Sequence, residues 1–168
     1  MINYHPVGDV YHCCYRLLIL TKASGRNVLS YDLLRLMDFY FLFPHLLKTI
    51  SIPSNFRKHK KIFNAIEEPF EVLSSPARIF YTLGSVQDTA IRNLIARGFF
   101  DRACFIEKLE VRLVTKIDDK IVTLYENEEK VKQEWFSSFL EVFLNCDFNG
   151  ERGLKARSGL MEFRYDSI

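Results

Sequence analysis

Ser30-Tyr31-Asp32-Leu33-Leu34-Arg35-Leu36-Met37-Asp38-Phe39-Tyr40-Phe41-Leu42-Phe43-Pro44 is the stretch that decides the class of fold. Ser30 can accept an amide hydrogen bond as an N-cap. After it, Leu33, Leu34, Leu36, Met37, Tyr40 and Phe41 recur at helical spacing and cover much of the circumference. A helix that is apolar on more than one face has to be buried on more than one face, which places this one at the centre of a mainly helical core. Pro44 has no amide hydrogen and its ring crowds the preceding turn, so the helix should stop or kink near Phe43, with His45 to Ile50 continuing at a new angle.

Upstream, Asp9 is a candidate N-cap for Val10, Cys13, Cys14, Leu17, Leu18 and Leu20-Thr21, a helical run that Ser24-Gly25 stops. Downstream, Pro53-Ser54 opens a third helical segment in which Phe56, Phe63 and Ile66 share a face and His59 lies on the apolar side. Arg57, Lys58, Lys60 and Lys61 make it the most basic stretch of the chain. The loop from Glu67 to Pro76, with Pro69 and Ser74-Ser75, is the one internal boundary the sequence suggests.

Beyond that loop, Arg78 to Leu83 reads as a short strand, and Ser85 as the cap of a helix carrying Val86, Ala90, Ile91, Leu94 and Ile95 up to Arg97-Gly98. Leu109, Val111 and Leu113 alternate with Glu110 and Arg112, the period of a half-buried strand, and Asp118-Asp119-Lys120 reads as a turn. Strand, capped helix, Gly98-Phe99-Phe100, strand and charged turn is the order of a winged helix. A last helix is expected from near Glu126 to around Asn145. There Glu126/Lys130 and Glu128/Lys132 are spaced i,i+4, and Val131, Trp135, Phe139 and Phe143 line one side. The tail from Asn149 to Tyr165 sets Gly150, Gly153 and Gly159 among Arg152, Lys155, Arg157 and Arg164; it reads either as a final hairpin or as a segment that holds a partner. The expected fold is therefore α+β and mainly helical, one compact unit over 1–168. Within it, 1–73 is helical, 74–117 winged-helix-like, and 118–168 a helix plus a glycine-rich β tail.

At 168 residues, with 48% apolar and 26% charged side chains, the composition is that of a globular chain and excludes disordered and collagen-like classes. The net charge of +2 is too small for nucleic-acid binding by the whole surface, so any phosphate contact must be local. Arg57, Lys58, Lys60 and Lys61 could supply it through counterion release, or form a plain solvated face. Gln87, Arg92, Asn93 and Arg97 are what the winged-helix segment could offer a DNA groove. Fifteen Phe and eight Tyr exceed the obvious needs of a core and suit buried interfaces. The longest charge-free apolar stretch, Phe39 to Leu47, is about half the roughly 20 residues of a membrane-spanning helix, so no crossing is expected. The first residues lack the basic head and apolar run of a secretory signal, which points to a cytoplasmic chain.

Cys13 and Cys14 are adjacent while Cys104 and Cys146 stand alone, so they read as small buried side chains of a reducing compartment. Phosphate-loop, dinucleotide, nucleophile-elbow and zinc-protease signatures do not occur, and His5, His12, His45 and His59 are scattered. The best catalytic candidate is Asp118-Asp119-Lys120, which contains the D-x-K half of a metal-dependent nuclease site. Its placement between two elements favours a solvated turn instead. Neither an enzyme, nor a metal, nor a cofactor is expected.

Three segments carry a resemblance. They are Tyr11-His12 with Tyr15-Arg16-Leu17-Leu18, then Leu34 through Leu47 with its Asp38-Phe39-Tyr40 and Phe43-Pro44-His45-Leu46-Leu47, and Asn149-Gly150 through Gly153-Leu154-Lys155-Ala156-Arg157-Ser158-Gly159-Leu160-Met161 to Tyr165. Together they resemble the middle component of bacterial ABC-three-component conflict systems, which include Lamassu-type anti-phage and anti-plasmid defence. The resemblance implies a small non-enzymatic subunit of winged-helix character. Such a subunit would bridge an SMC-like ABC ATPase and an effector, often a nuclease, with DNA within reach of the assembly and no membrane involved. It makes Asn149, Gly150, Gly153, Leu154, Lys155, Arg157, Gly159 and Leu160 the interface candidates. A free-standing winged-helix DNA-binding regulator is the alternative reading.

Overall fold

The capping signals read from the sequence start and stop the first helices. In the computed structural model, which describes residues 6–114 and 119–161, α1 (Val10–Ser24) begins where the Asp9 carboxylate accepts the His12 amide at 3.0 Å. It ends at Gly25, whose φ of +62° suits glycine. Ser30 Oγ accepts the Leu33 amide at 3.2 Å and starts α2 (Tyr31–Leu42). Pro44–Thr49 then continue as a 3-10 helix, the change of direction that Pro44 dictates. After a 3-10 turn at Ser54–Phe56 come α3 (Arg57–Asn64), α4 (Pro76–Ala96) and α5 (Arg102–Lys108), the last capped by Asp101. They are followed by α6 (Asp119–Asn127), a 3-10 turn at Glu129–Lys132, α7 (Glu134–Asn145) and α8 (Leu154–Ser158). Two short strands, β1 (Leu29–Ser30) and β2 (Glu110–Val111), pair antiparallel with Leu29 opposite Val111.

As its pattern requires, α2 is the central element. Leu34, Leu36, Met37 and Phe39 have no exposed surface, and rings from α4 and α7 close over it. Phe39 meets Phe80 at 5.6 Å, Tyr40 meets Phe143 at 5.4 Å, Phe41 meets Phe136 at 5.7 Å, and Phe139 stacks on Phe143 at 4.6 Å. Each buried ring contributes about 1.5–3 kcal/mol by leaving water, and each edge or offset pair adds about 0.5–1.5 kcal/mol. Much of the aromatic content that the sequence offered as interface anchors thus builds this core.

Several expectations are corrected. Residues 78–83 are not a strand: α4 runs unbroken from Pro76, with Ser75 Oγ accepting the Arg78 amide at 3.4 Å, because Phe80, Leu83, Gln87, Ala90, Ile91 and Leu94 form one buried helical stripe. Ser85 is accordingly no cap, its hydroxyl bonding Thr82 O inside the helix. The winged-helix order loses its first strand, and β2 pairs with β1 from the N-terminal region. Leu109 belongs to no strand; at φ +52° it ends α5 and is 60% exposed, so the ladder shortens to Glu110–Val111 plus a bridge between Phe100 and Leu113. The last helix starts at Glu134 rather than near Glu126, because Glu128 caps a separate 3-10 turn and Lys130 Nζ leaves the helix surface to bond Phe41 O at 2.8 Å. The tail forms α8, not a hairpin, as far as Met161. Asp118 and residues 162–168 lie outside the described residues; Asp119 and Lys120 open α6 instead of forming a turn.

A single apolar core draws on both sides of the loop at residues 67–75. Leu17 and Leu20 of α1 share it with Leu83 and Ile91 of α4, and the two strands join across the same loop.

Candidate partner-binding surfaces

The glycine-rich tail is a tight knot behind α7. The Leu154 amide bonds Asp147 O at 2.8 Å and the Lys155 amide bonds Phe148 O at 3.0 Å, folding the chain back on itself at the start of α8. A side chain at Gly153 would come within 2.3 Å of Asn149 O and 2.5 Å of Phe148 O, so only glycine fits there. Gly159, at φ +65°, ends the helix. Leu154 and Leu160 are 1% and 6% exposed and pin the knot to the body. Of the eight tail candidates, Gly153, Leu154 and Leu160 therefore serve the fold, while Asn149, Gly150 and Gly159 face outward and Lys155 and Arg157 are half-buried.

Arg157 crosses from the knot to the segment before α3, donating from Nη1 to Ser51 O at 2.9 Å, while its Nε bonds Arg152 O. Ser51, Glu151, Arg152, Ala156 and Arg157 line a shallow pocket of about 480 Å³. Two candidate groups that are distant in sequence, the tail and the basic run, thus flank residues 48–51.

Within the basic run the four cations do different work. Lys60 Nζ donates to Lys48 O and, at 3.1 Å, to Ile50 O, tying off the 3-10 helix. Lys58 pairs with Glu141 of α7 at 3.0 Å. Glu141 also lies 3.3 Å from the buried His59 Nε2. The Lys58 hydrogen bond first, and His59 second, hold its carboxyl below the ordinary value. Arg57 and Lys61 are exposed and make no ion pair among the described residues. Only these two stay free for a phosphate.

Beneath the surface lies a polar cluster that sequence reasoning missed. Asp38, with no exposed surface, accepts Arg16 Nε at 2.6 Å, Arg16 Nη2 at 3.2 Å and Gln87 Nε2 at 2.9 Å. Gln87 in turn binds Arg35 through Arg35 Nε at 3.1 Å and Arg35 O at 3.1 Å. Burial opposes the Arg16 charge, but Asp38 more than offsets it and raises the Arg16 pKa. The cluster bolts α1, α2 and α4 together. Gln87, offered as a possible DNA contact, is completely buried here and unavailable; Arg92, Asn93 and Arg97 are exposed. A carboxylate set between Leu36-Met37 and Phe39-Tyr40-Phe41, in the apolar half of α2, was the available signal for Asp38.

Apolar side chains also reach the surface. Tyr11 is 75% exposed beside a small pocket of about 220 Å³ floored by Cys14, Leu18, Leu94 and Phe99. Phe70 and Val72 project from the loop, and Ile106 and Leu109 from the end of α5. Among the described residues no three His, Cys, Asp or Glu side chains cluster as a metal site would require, and no helix is long and apolar enough to cross a membrane.

The described residues form a mainly helical body locked by a buried ion pair, with cations and isolated apolar residues turned outward. The chain belongs to the family described as ABC-three component (ABC-3C) system Middle Component 5, whose model matches residues 2–166. No curated protein and no solved structure matches it. As the middle component of an ABC-3C system it is one member of a multi-subunit assembly.

Proposed function

We propose that this chain is a non-catalytic scaffold of a bacterial defence complex. It links an SMC-like ABC ATPase to an effector, often a nuclease, and holds that effector inactive until the ATPase engages foreign DNA. The observation that carries the reading is the family match over nearly the whole chain. Two structural features support it. The Arg16–Asp38–Gln87 cluster makes a rigid body from three helices, as a linker between moving partners needs. The outward residues also belong to different elements, the tail and α3 with Arg57 and Lys61 on one hand and the end of α4 with α5 on the other, which suits two partners.

The test is co-expression of the tagged chain with the ATPase and effector subunits of its own system, followed by affinity purification with and without duplex DNA. Co-elution of both subunits at fixed stoichiometry is the expected result. A chain that retains neither subunit, yet binds duplex DNA in a salt-sensitive way that Arg57→Glu/Lys61→Glu abolishes, would replace the scaffold with a DNA-binding regulator.

A further inference from the structure

On α4, Arg92, Ile95 and Ala96 stand at i, i+3 and i+4; on α5, Arg102, Phe105 and Ile106 repeat the spacing. These two stripes are the walls of one groove of about 570 Å³. Its floor is apolar: Phe105 packs one edge on Tyr31 at 5.2 Å, Ile95 is half-buried, and Ile106 is 65% exposed with the 60% exposed Leu109 one turn beyond. Each wall begins with an exposed arginine, and neither Arg92 nor Arg102 makes an ion pair or hydrogen bond among the described residues. Of the acids nearby, Asp88 accepts the Tyr31 hydroxyl at 2.6 Å, Asp101 caps α5 and pairs with Arg112, and the exposed Glu107 of α5 pairs with neither arginine.

We propose that this groove seats an acidic, apolar-anchored helical segment of a partner subunit. Ile95, Phe105 and Ile106 would receive its apolar side chains, and Arg92 and Arg102 its carboxylates. Charge complementarity selects the occupant. Two unneutralised guanidinium groups flanking an apolar floor match an amphipathic helix whose polar face is acidic, and arginine is enriched at such interfaces for its bidentate grip on carboxylates. A duplex could use the arginines, but its phosphates have no apolar partner for Ile95 and Ile106, and the inward Gln87 removes one base-reading side chain. The partner assignment rests on the scaffold reading; the groove's preference for acidic helices does not.

Two measurements test it, both on the full chain. In the co-expressed complex, Arg92→Glu/Arg102→Glu should lose the ATPase or the effector at least tenfold, while Arg78→Glu, a single charge reversal on the exposed first turn of α4, keeps both. In a separate titration by fluorescence anisotropy, the probe is a labelled helical peptide of about four turns, with leucine at i, i+3, i+4 and i+7 and glutamate elsewhere. It should bind the wild-type chain at least tenfold more tightly than the double variant, and at least tenfold more tightly than a glutamine version of itself. A wild-type chain that retains neither subunit refutes the scaffold reading alone, and the peptide titration then decides the groove. Equal binding of glutamate and glutamine peptides, indifference of both measurements to Arg92→Glu/Arg102→Glu, or displacement of the peptide by duplex DNA at equal concentration overturns the proposal.

Discussion

Asp38→Asn keeps the shape of the side chain and removes one charge from a place with no exposed surface. The Arg16 side chain is 6% exposed and would remain as a buried cation facing a neutral amide. One of the new amide's two polar atoms is a donor and would meet donors from Arg16 Nη2 and Gln87 Nε2, which now lie 3.2 and 2.9 Å from Asp38 Oδ2. Breaking a buried pair from one side costs about 3–5 kcal/mol, because the surviving charge loses its compensation. Against a total stability of about 5–15 kcal/mol this is about a fifth or more, and for a chain of this size it lowers Tm by about 6–20 °C. The assay is urea denaturation followed by circular dichroism, read as a shift in midpoint at constant slope. Arg16→Met/Asp38→Leu, which removes both charges, should recover most of the loss. It would fall short by about 1 kcal/mol for the hydrogen bond that Gln87 gives up. A loss below about 1 kcal/mol in Asp38→Asn would mean that the Arg16 guanidinium reaches water, and would refute the bolt as described.

Other outcomes follow from the same geometry. Gly153→Ala should destabilise by about 1–3 kcal/mol and open the tail to trypsin at Arg152 and Lys155, whereas Gly8→Ala, with nothing within 4 Å, should be neutral in the same digestion. The carboxyls of Glu68, Asp101 and Glu141 sit below their ordinary values, through hydrogen bonds from Lys48, Arg112 and Lys58 respectively. A depressed carboxylate contributes stability above its unfolded value and loses it as pH falls through the folded one. Unfolding scans should therefore weaken below about pH 4.5, and Lys58→Gln or Arg112→Gln should flatten that acid limb. Burial first, and then the charge of Asp38, push the Cys13 thiol far up, so Cys13 should be the last of the four cysteines to react with a disulfide reagent at pH 8. Equal rates for Cys13 and the half-buried Cys104 would contradict its burial.

What could be read from the sequence was local and short-range. Asp9, Gly25, Ser30 and Pro44 act through their nearest neighbours, and each marks the boundary it was expected to mark. At α4, Ile79-Phe80-Tyr81 have the composition of a strand, but Ser75-Pro76 before them is an N-cap followed by proline at the first helical position. Packing against α1 then overrode the β preference. In the tail, glycines and alternating arginines mimicked a strand; the backbone instead turned at Gly153 and Gly159 because Leu154 and Leu160 could both reach the core. Among the candidate contacts, exposure could be guessed for Arg57 and Lys61. The inward use of Lys60 depends on carbonyls at residues 48 and 50, which no pattern in the sequence places nearby. The Arg16–Asp38 pair spans two helices, and nothing in one sequence says which arginine a buried aspartate will meet.

The core shared across residues 67–75 bears on how the chain tolerates interruption. Residues 67–72 are exposed, and Phe70 projects wholly into solvent, so a protease or an inserted peptide meets little resistance there. A cut would sever the backbone but leave the α1–α4 packing, the Leu29–Val111 ladder and the Arg16–Asp38–Gln87 cluster in place, each joining one fragment to the other. The two pieces would stay together as a noncovalent pair, which makes this loop the position at which a reporter or affinity tag can be spliced into the chain while both of its outward surfaces remain intact.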